Sequence, residues 1–182
     1  ETGDFTKYPW EHDGNNEWTI DEQTVYEGMY SAKSGEIDDS QESVLFLEID
    51  VLGNGKISFH KKVSCEDDPN GTGWDYLAFL IDNEEQARWD GEDDWSEETF
   101  DVEAGHHIFR WRFYKDGDVT EGEDAAWVDL INLPPMSMPV STEEITIAAE
   151  QKHVVVFPNP ASNETTISFQ TDQKMKVKLD VF

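Results

Sequence analysis

Apolar and polar residues alternate along residues 43–51 and again along residues 56–65. A period of two is typical of β-strands with one buried face, because successive side chains of a strand point to opposite sides. Asn54 and Gly55 lie between the two runs and favour a tight turn, so the two segments together predict a β-hairpin. The apolar face of the second strand consists of Ile57, Phe59, Val63 and Cys65.

Four further segments show strand signals: residues 74–81, 95–102, 107–115 and 125–133. The first is apolar on both faces, which predicts a central strand, and the second is the weakest of the four. The last places Trp127, Ile131 and Leu133 on one face beside Asp129. A helical period is not evident, and short strands separated by turn signals about every ten residues predict an all-β fold, a β-sandwich.

Composition excludes several classes of protein. The chain has 41 acidic and 13 basic residues and a formal net charge of −28, which excludes binding to nucleic acids through a basic surface. A run of about 20 apolar residues is absent, so membrane insertion is not expected. The hydrophobic content of 37% is low and by itself would suggest a disordered chain. The 7 Trp, 5 Tyr and 10 Phe indicate a folded protein instead, because disordered chains lack such residues. The single cysteine, Cys65, excludes an internal disulfide and a cysteine-based zinc cluster.

The charge is unevenly distributed along the chain. Residues 151–182 contain four lysines and three acidic residues, so the first 150 residues have a net charge of −29. All seven tryptophans precede residue 128, and a proline-containing stretch begins at Pro134. These changes predict a first domain at residues 1–135, a linker at 136–152 and a second domain from residue 153.

The first domain resembles a known family in the order of its aromatic and glycine residues. The matching segments are Gly3-Asp4-Phe5, Tyr8-Pro9-Trp10, Glu27-Gly28, Asp75-Tyr76, Gly91-Glu92, Tyr114-Lys115-Asp116 and Asp124-Ala125-Ala126-Trp127-Val128-Asp129. They are similar to the jelly-roll modules of bacterial secreted and cell-surface proteins, related to the cleaved-adhesin domains of gingipains and more distantly to MAM domains. This resemblance implies a jelly roll over residues 1–135 and a non-catalytic role in adhesion or carbohydrate binding.

The tail carries a second resemblance. A valine run leads into Phe157-Pro158-Asn159-Pro160-Ala161, and further strand-like segments follow at residues 166–169 and 176–182. This pattern resembles the start of the C-terminal sorting domain of type IX secretion in Bacteroidota. The resemblance implies that residues 153–182 are the N-terminal part of a truncated, Ig-like β-sandwich; a generic pair of strands is the alternative.

Catalytic motifs give no support for an enzyme. The five histidines do not form a zincin motif, and neither a serine nucleophile elbow nor a phosphate-binding loop is present. Cys65 is expected to be a buried, inert thiol. We therefore expect a non-catalytic protein.

A structural Ca²⁺ ion is the expected cofactor. In the jelly-roll modules that the chain resembles, a Glu near the domain start and an Asp in the last strand bind one Ca²⁺, and the matching residues are Glu1 and Asp129. Asp129 also interrupts an apolar strand, and a buried carboxylate requires a cation or hydrogen-bond donors. The alternative is that Asp129 accepts backbone N–H bonds or faces water. If Ca²⁺ stabilises the protein but Asp129→Asn keeps the full response, the site is expected in the acidic loops at residues 66–75 or 116–124.

Sugar-binding modules stack pyranose rings on flat aromatic side chains. Trp74, Trp89 and Trp95 lie near loops or strand ends and are the candidate ligand-binding residues. Trp111 and Trp127 alternate with core residues and are expected to be structural.

These inferences predict an adhesion or carbohydrate-recognition module of a protein exported to the surface of a Gram-negative, Bacteroidota-like cell. Its expected partners are glycans or host extracellular proteins, and the type IX secretion machinery through the C-terminal region. The alternative is an accessory domain of a larger secreted peptidase or glycosidase.

Overall fold

The computed structural model describes residues 3–137, 154–157 and 166–169. The chain divides into two compact units, Glu1–Ser137 and Met138–Phe182. The regular structure of the described residues is entirely β-strand. None of these residues belongs to a helix that is long and apolar enough to cross a membrane.

In its described part the first unit contains eleven strands: β1 (Trp10–Gly14), β2 (Thr19–Asp21), β3 (Ser31–Lys33), β4 (Glu42–Val51), β5 (Gly55–Ser64), β6 (Tyr76–Ile81), β7 (Glu84–Trp89), β8 (Glu92–Val102), β9 (Gly105–Tyr114), β10 (Ala125–Asn132) and β11 (Met136–Ser137). The second unit contains β12 (Val154–Phe157) and β13 (Thr166–Phe169), which pair antiparallel.

The first unit is a sandwich of two antiparallel sheets. The first sheet has the order β1-β4-β9-β6-β7, with β11 added alongside β4, and the second has the order β2-β3-β10-β5-β8. This arrangement confirms the predicted all-β sandwich. Met136 and Ser137, which the sequence places in the linker, belong to the first sheet through β11.

The core lies between the two sheets and is dominated by aromatic rings. Phe59 of the second sheet contacts Phe79 and Trp111 of the first sheet, with ring centroids 4.9 and 5.3 Å apart. Phe79 and Trp111 also contact each other at 5.1 Å, and all three side chains are fully buried. Aromatic residues on inward-facing positions of both sheets therefore close the sandwich.

The predicted strands at residues 43–51 and 56–65 are correct, but the predicted hairpin is wrong. β4 belongs to the first sheet and β5 to the second, so the turn at residues 52–54 crosses from one layer to the other. Leu52 N donates a hydrogen bond to Pro135 O, and a Cβ at Gly55 would lie 2.8 Å from the Pro135 side chain. Gly55 therefore allows the chain to pack closely against Pro135. The apolar faces of β4 and β5 meet across the core.

A true hairpin joins β6 and β7, and its turn was not predicted. Asp82 and Asn83 have φ angles of 54° and 68°, the left-handed conformation that a two-residue type I′ turn requires. β6 lies between β7 and β9, so it is an internal strand, as its two apolar faces predict. Its outer face forms a small separate cluster with Tyr114.

The sequence predicts that Trp127, Ile131 and Leu133 lie on one face of the last long strand. This prediction is wrong because the strand contains a bulge. Ala126 and Val128 join the core between the sheets, so Trp127 points to the outer face of the second sheet. The register with β5 shifts between Asp129 and Asn132, where Leu130 has a φ of 46°. This irregularity reverses the alternation, and Ile131 packs against the core.

Candidate functional site: an aromatic cluster and two acidic loops

The loop between β2 and β3 (residues 22–30) is held against the outer face of the second sheet by Asp129. Asp129 Oδ2 accepts hydrogen bonds from Tyr26 N at 3.0 Å and Glu27 N at 3.1 Å, and Oδ1 accepts one from Leu130 N at 2.7 Å. Nearby, Trp127 Nε1 donates to Asp21 Oδ2 at 2.8 Å, and the indole is fully buried. Trp127 is thus structural, as expected, although on the outer face of its sheet.

These contacts bear on the Ca²⁺ site that the sequence places at Glu1 and Asp129. The carboxylate of Asp129 accepts backbone N–H bonds, which is the alternative stated for this residue. Glu1 lies outside the described residues. A Ca²⁺ ion shared by these two residues therefore stays a prediction, and the observed donors already neutralise part of the charge of Asp129.

Asp129 also positions Tyr26 over the sheet, where it forms an aromatic cluster with His60 and Trp95. The rings of Tyr26 and His60 are stacked, with centroids 3.8 Å apart and an interplanar angle of 20°. Trp95 lies 5.9 Å from Tyr26 at an angle of 56°. Tyr26 is 46% exposed and Trp95 is half-buried, so the cluster presents ring surface to solvent.

Charged side chains border the aromatic cluster. Lys62 Nζ lies 3.6 Å from Asp94 Oδ1, and the Asp94 side chain is 88% exposed. The backbone N–H of Trp95 also donates to Asp94, and together with Lys62 it lowers the pKa of this carboxyl. Ring surface beside groups that donate and accept hydrogen bonds is the chemistry that a neutral sugar requires.

The structure separates the three tryptophans that the sequence proposes for ligand binding. Trp95 belongs to the aromatic cluster, whereas Trp89 packs on the core and contacts Phe59 edge-on at 6.2 Å. Trp74 is half-buried in the loop before β6, where its backbone N–H donates to Asp68. No ring contact joins these three indoles within the described part of the chain. Their roles in binding stay predictions, and geometry favours Trp95.

Sequence reasoning missed two members of the cluster. The alternation of β5 places His60 on the outer face, which was the available signal. Tyr26 lies in a loop without periodicity. The hydrogen bond from its backbone N–H to Asp129, a contact distant in sequence, holds it over His60. Asp129 and His60 are directly opposite each other in the pairing of β10 with β5.

A second feature lies at one end of the sandwich, where two acidic loops meet. Glu66 follows β5, Asp75 precedes β6 and Asp116 follows β9. Carboxylate oxygens of these three residues lie within 4.8 Å of one another. Burial raises the pKa of Asp75 to about 6, and partial burial together with the charge of Asp116 raises the pKa of Glu66.

Cys65 is next to this acidic group, and its chemistry is that of a buried thiol. Its Sγ lies 3.4 Å from Asp75 O, and burial raises its pKa to about 12. The thiol is therefore protonated at neutral pH and is not a nucleophile, in agreement with the expectation from sequence.

Comparison with known proteins gives similarity at the level of the fold. No family model matches the sequence, and no curated protein matches it. Among solved structures, the module TmCBM61, in complex with beta-1,4-galactotriose, has a TM-score of 0.51 and 15% identity, over 71% of this chain and 89% of that one. The similarity to this module is one of fold, a β-sandwich.

Two other solved structures are similar. The K1 cleaved adhesin domain of Lys-gingipain from Porphyromonas gingivalis W83 has a TM-score of 0.48 and 14% identity, over 67% of this chain and 88% of that one. The secreted serine protease VesC from Vibrio cholerae has a TM-score of 0.49 and 17% identity, over 65% of this chain. The alignment covers only 24% of the protease.

Proposed function

We propose that the first unit is a non-catalytic carbohydrate-recognition module that binds a glycan at Tyr26, His60 and Trp95. The observation that supports this function is the exposed ring of Tyr26, stacked on the half-buried His60 and beside Trp95 on the outer face of a sheet. Aromatic faces bind the apolar C–H face of a pyranose, and the bordering Lys62 and Asp94 are placed to bind its hydroxyls.

The charge of the chain narrows the class of glycan. A formal net charge of −28 repels polyanions at long range, so sulfated or uronate-rich chains are disfavoured. A neutral glycan suffers no such repulsion. Since the solved module of similar fold was bound to beta-1,4-galactotriose, neutral β-linked galactans are the first ligands to test.

The cellular setting is part of the proposal. The pattern at residues 153–182 resembles a type IX secretion sorting domain, which supports export to the cell surface of a Bacteroidota-like bacterium. There the module would contact environmental or host glycans, or host extracellular proteins. Residues 154–157 and 166–169 of this segment form the antiparallel strand pair β12 and β13. Retention of the protein inside cells when the type IX machinery is deleted would test the proposal.

A neutral-glycan array followed by calorimetry with the 182-residue chain tests binding. Tyr26→Ala and Trp95→Ala should each weaken binding by roughly two- to tenfold, because a stacking contact on one aromatic ring is worth about 0.5–1.5 kcal/mol. Tyr114→Ala is the matched control, since Tyr114 is a half-buried aromatic residue of the first sheet and should leave binding unchanged. Equal affinity of the two cluster variants and the wild type, or no binding to any glycan, contradicts this function.

A further inference from the structure

The two acidic loops at the end of the sandwich form a site of their own. Glu66 reaches it from the end of β5 in the second sheet, whereas Asp75 and Asp116 come from β6 and β9 in the first sheet. Tyr76 and Tyr114 are paired across the antiparallel strands β6 and β9, so Asp75 lies opposite Lys115 and next to Asp116, whose N–H donates to Asp75 Oδ1. A ligand bound here would therefore tie the two sheets together.

The burial of the Asp75 carboxylate indicates a bound ligand here, apart from the mere clustering of acidic residues. The residue is 1% exposed, and its Oδ1 accepts a hydrogen bond from Asp116 N at 3.0 Å. Its Oδ2 is buried and has no hydrogen-bond partner. A buried carboxylate oxygen without a donor is costly, so an additional partner is expected at this position.

The nearby carboxylate of Asp68, by contrast, accepts hydrogen bonds from several backbone N–H groups of the protein. Asp68 Oδ2 accepts hydrogen bonds from Gly73 N and Trp74 N, and Asp68 Oδ1 accepts one from Asn70 N at 3.1 Å. These bonds close the loop around Asp68. Asp75 lacks an equivalent set of donors, which distinguishes it from an acidic residue that merely shapes a loop.

The nearest buried cation is occupied elsewhere. Lys115 Nζ forms an ion pair with Asp124 and donates to Thr120 Oγ1 at 3.0 Å. Within the described residues, no ion pair joins Lys115 or any other cation to Glu66, Asp75 or Asp116. Lys115 is near enough to lower the pKa of Asp75 by its charge, but it makes no direct ion pair or hydrogen bond with any of the three carboxylates.

We infer that Glu66, Asp75 and Asp116 bind a Ca²⁺ ion that links the two sheets. The ligands are hard oxygens on loops, which suits the flexible, oxygen-only coordination of Ca²⁺ better than the rigid octahedron of Mg²⁺. The three ligand atoms that lie together are all carboxylate oxygens and do not include Cys65 Sγ, which does not suit a thiolate-bound zinc ion. This site is distinct from the aromatic cluster and does not depend on the proposed glycan binding.

Titration of the chelator-treated, full 182-residue chain with CaCl2, followed by calorimetry and thermal unfolding, tests the inference. At a hundredfold excess over the dissociation constant, Ca²⁺ should raise Tm by roughly ten degrees. NaCl at matched ionic strength should not do so, because screening is not specific binding. Glu66→Gln and Asp116→Asn, both at half-buried positions, should each raise the dissociation constant at least tenfold.

Two control variants make the outcome decisive. Asp101→Asn removes the same charge from an 87% exposed side chain opposite Lys56, at the other end of β5, and should keep the full response to Ca²⁺. Asp129→Asn should also keep it. An unchanged response of Glu66→Gln and Asp116→Asn, a response lost only with Asp129→Asn, or an equal effect of NaCl would overturn the inference.

Discussion

Replacing Asp129 by alanine tests whether this carboxylate anchors the loop that presents Tyr26. The change removes the acceptor of three backbone hydrogen bonds, with N···O distances of 3.0, 3.1 and 2.7 Å. A hydrogen bond to a charged group is worth about 1.5–3 kcal/mol. Because two of the three donors lie in a solvent-accessible loop, where water replaces the carboxylate, we take the lower end. For three bonds, the expected loss in the free energy of unfolding is about 4.5 kcal/mol.

For a unit of this size, that loss lowers Tm by roughly fifteen degrees. Asp129→Asn keeps one oxygen acceptor and should lose about half as much. Urea unfolding followed by tryptophan fluorescence measures both variants, with CaCl2 and with a chelator. We expect the same loss in both conditions. A loss seen only with CaCl2 would instead make Asp129 a Ca²⁺ ligand, and a loss below about 1 kcal/mol would refute its anchoring role.

Three further predictions concern the tail, a buried lysine and a histidine. Deleting residues 153–182 should shift the Tm of the first unit by only a few degrees in calorimetry, whereas a large drop would mean that the two units share a core. Lys115→Met should cost about 2–3 kcal/mol in urea unfolding, less than for a fully buried pair because the side chain of Asp124 is 21% exposed. A cost near zero would show that the ion pair is not stabilising. The hydrogen bond to Asp50 raises the pKa of His106, so its contribution to stability is present below pH 6.5 and lost as pH rises through the raised value. NMR titration should show this raised pKa and its fall in Asp50→Asn, and an ordinary pKa in the wild type would contradict the contact.

The aromatic and apolar alternation of the chain predicts individual strands well. The inward residues of β4, β5 and β9 follow directly from the period of two, because each strand has one face toward the core. Lys61 is an exception, since it lies at an inward position and is 1% exposed. Its Nζ pairs with Asp93 and lies over the ring of Trp89, a partnership that periodicity does not reveal.

Pairing and layer assignment depend on contacts that are distant in sequence. The pattern on β4 and β5 is equally compatible with neighbouring strands and with strands that face each other across a core, and only the structure shows the second arrangement. The bulge at Leu130 is likewise invisible in the alternation, yet it decides which face Trp127 occupies. Registers and bulges are set by the neighbouring strands, which a single strand does not encode.

The amino-acid sequence by itself determined the all-β class, the buried faces of the main strands and the acidic character that disfavours anionic partners. These are properties of composition and of local period, and they require no knowledge of which segments meet. The tertiary structure alone decided that Tyr26 lies over His60, and that Glu66 meets Asp75 and Asp116. Such sites join residues from separate loops and sheets, and their geometry exists only after the chain has folded.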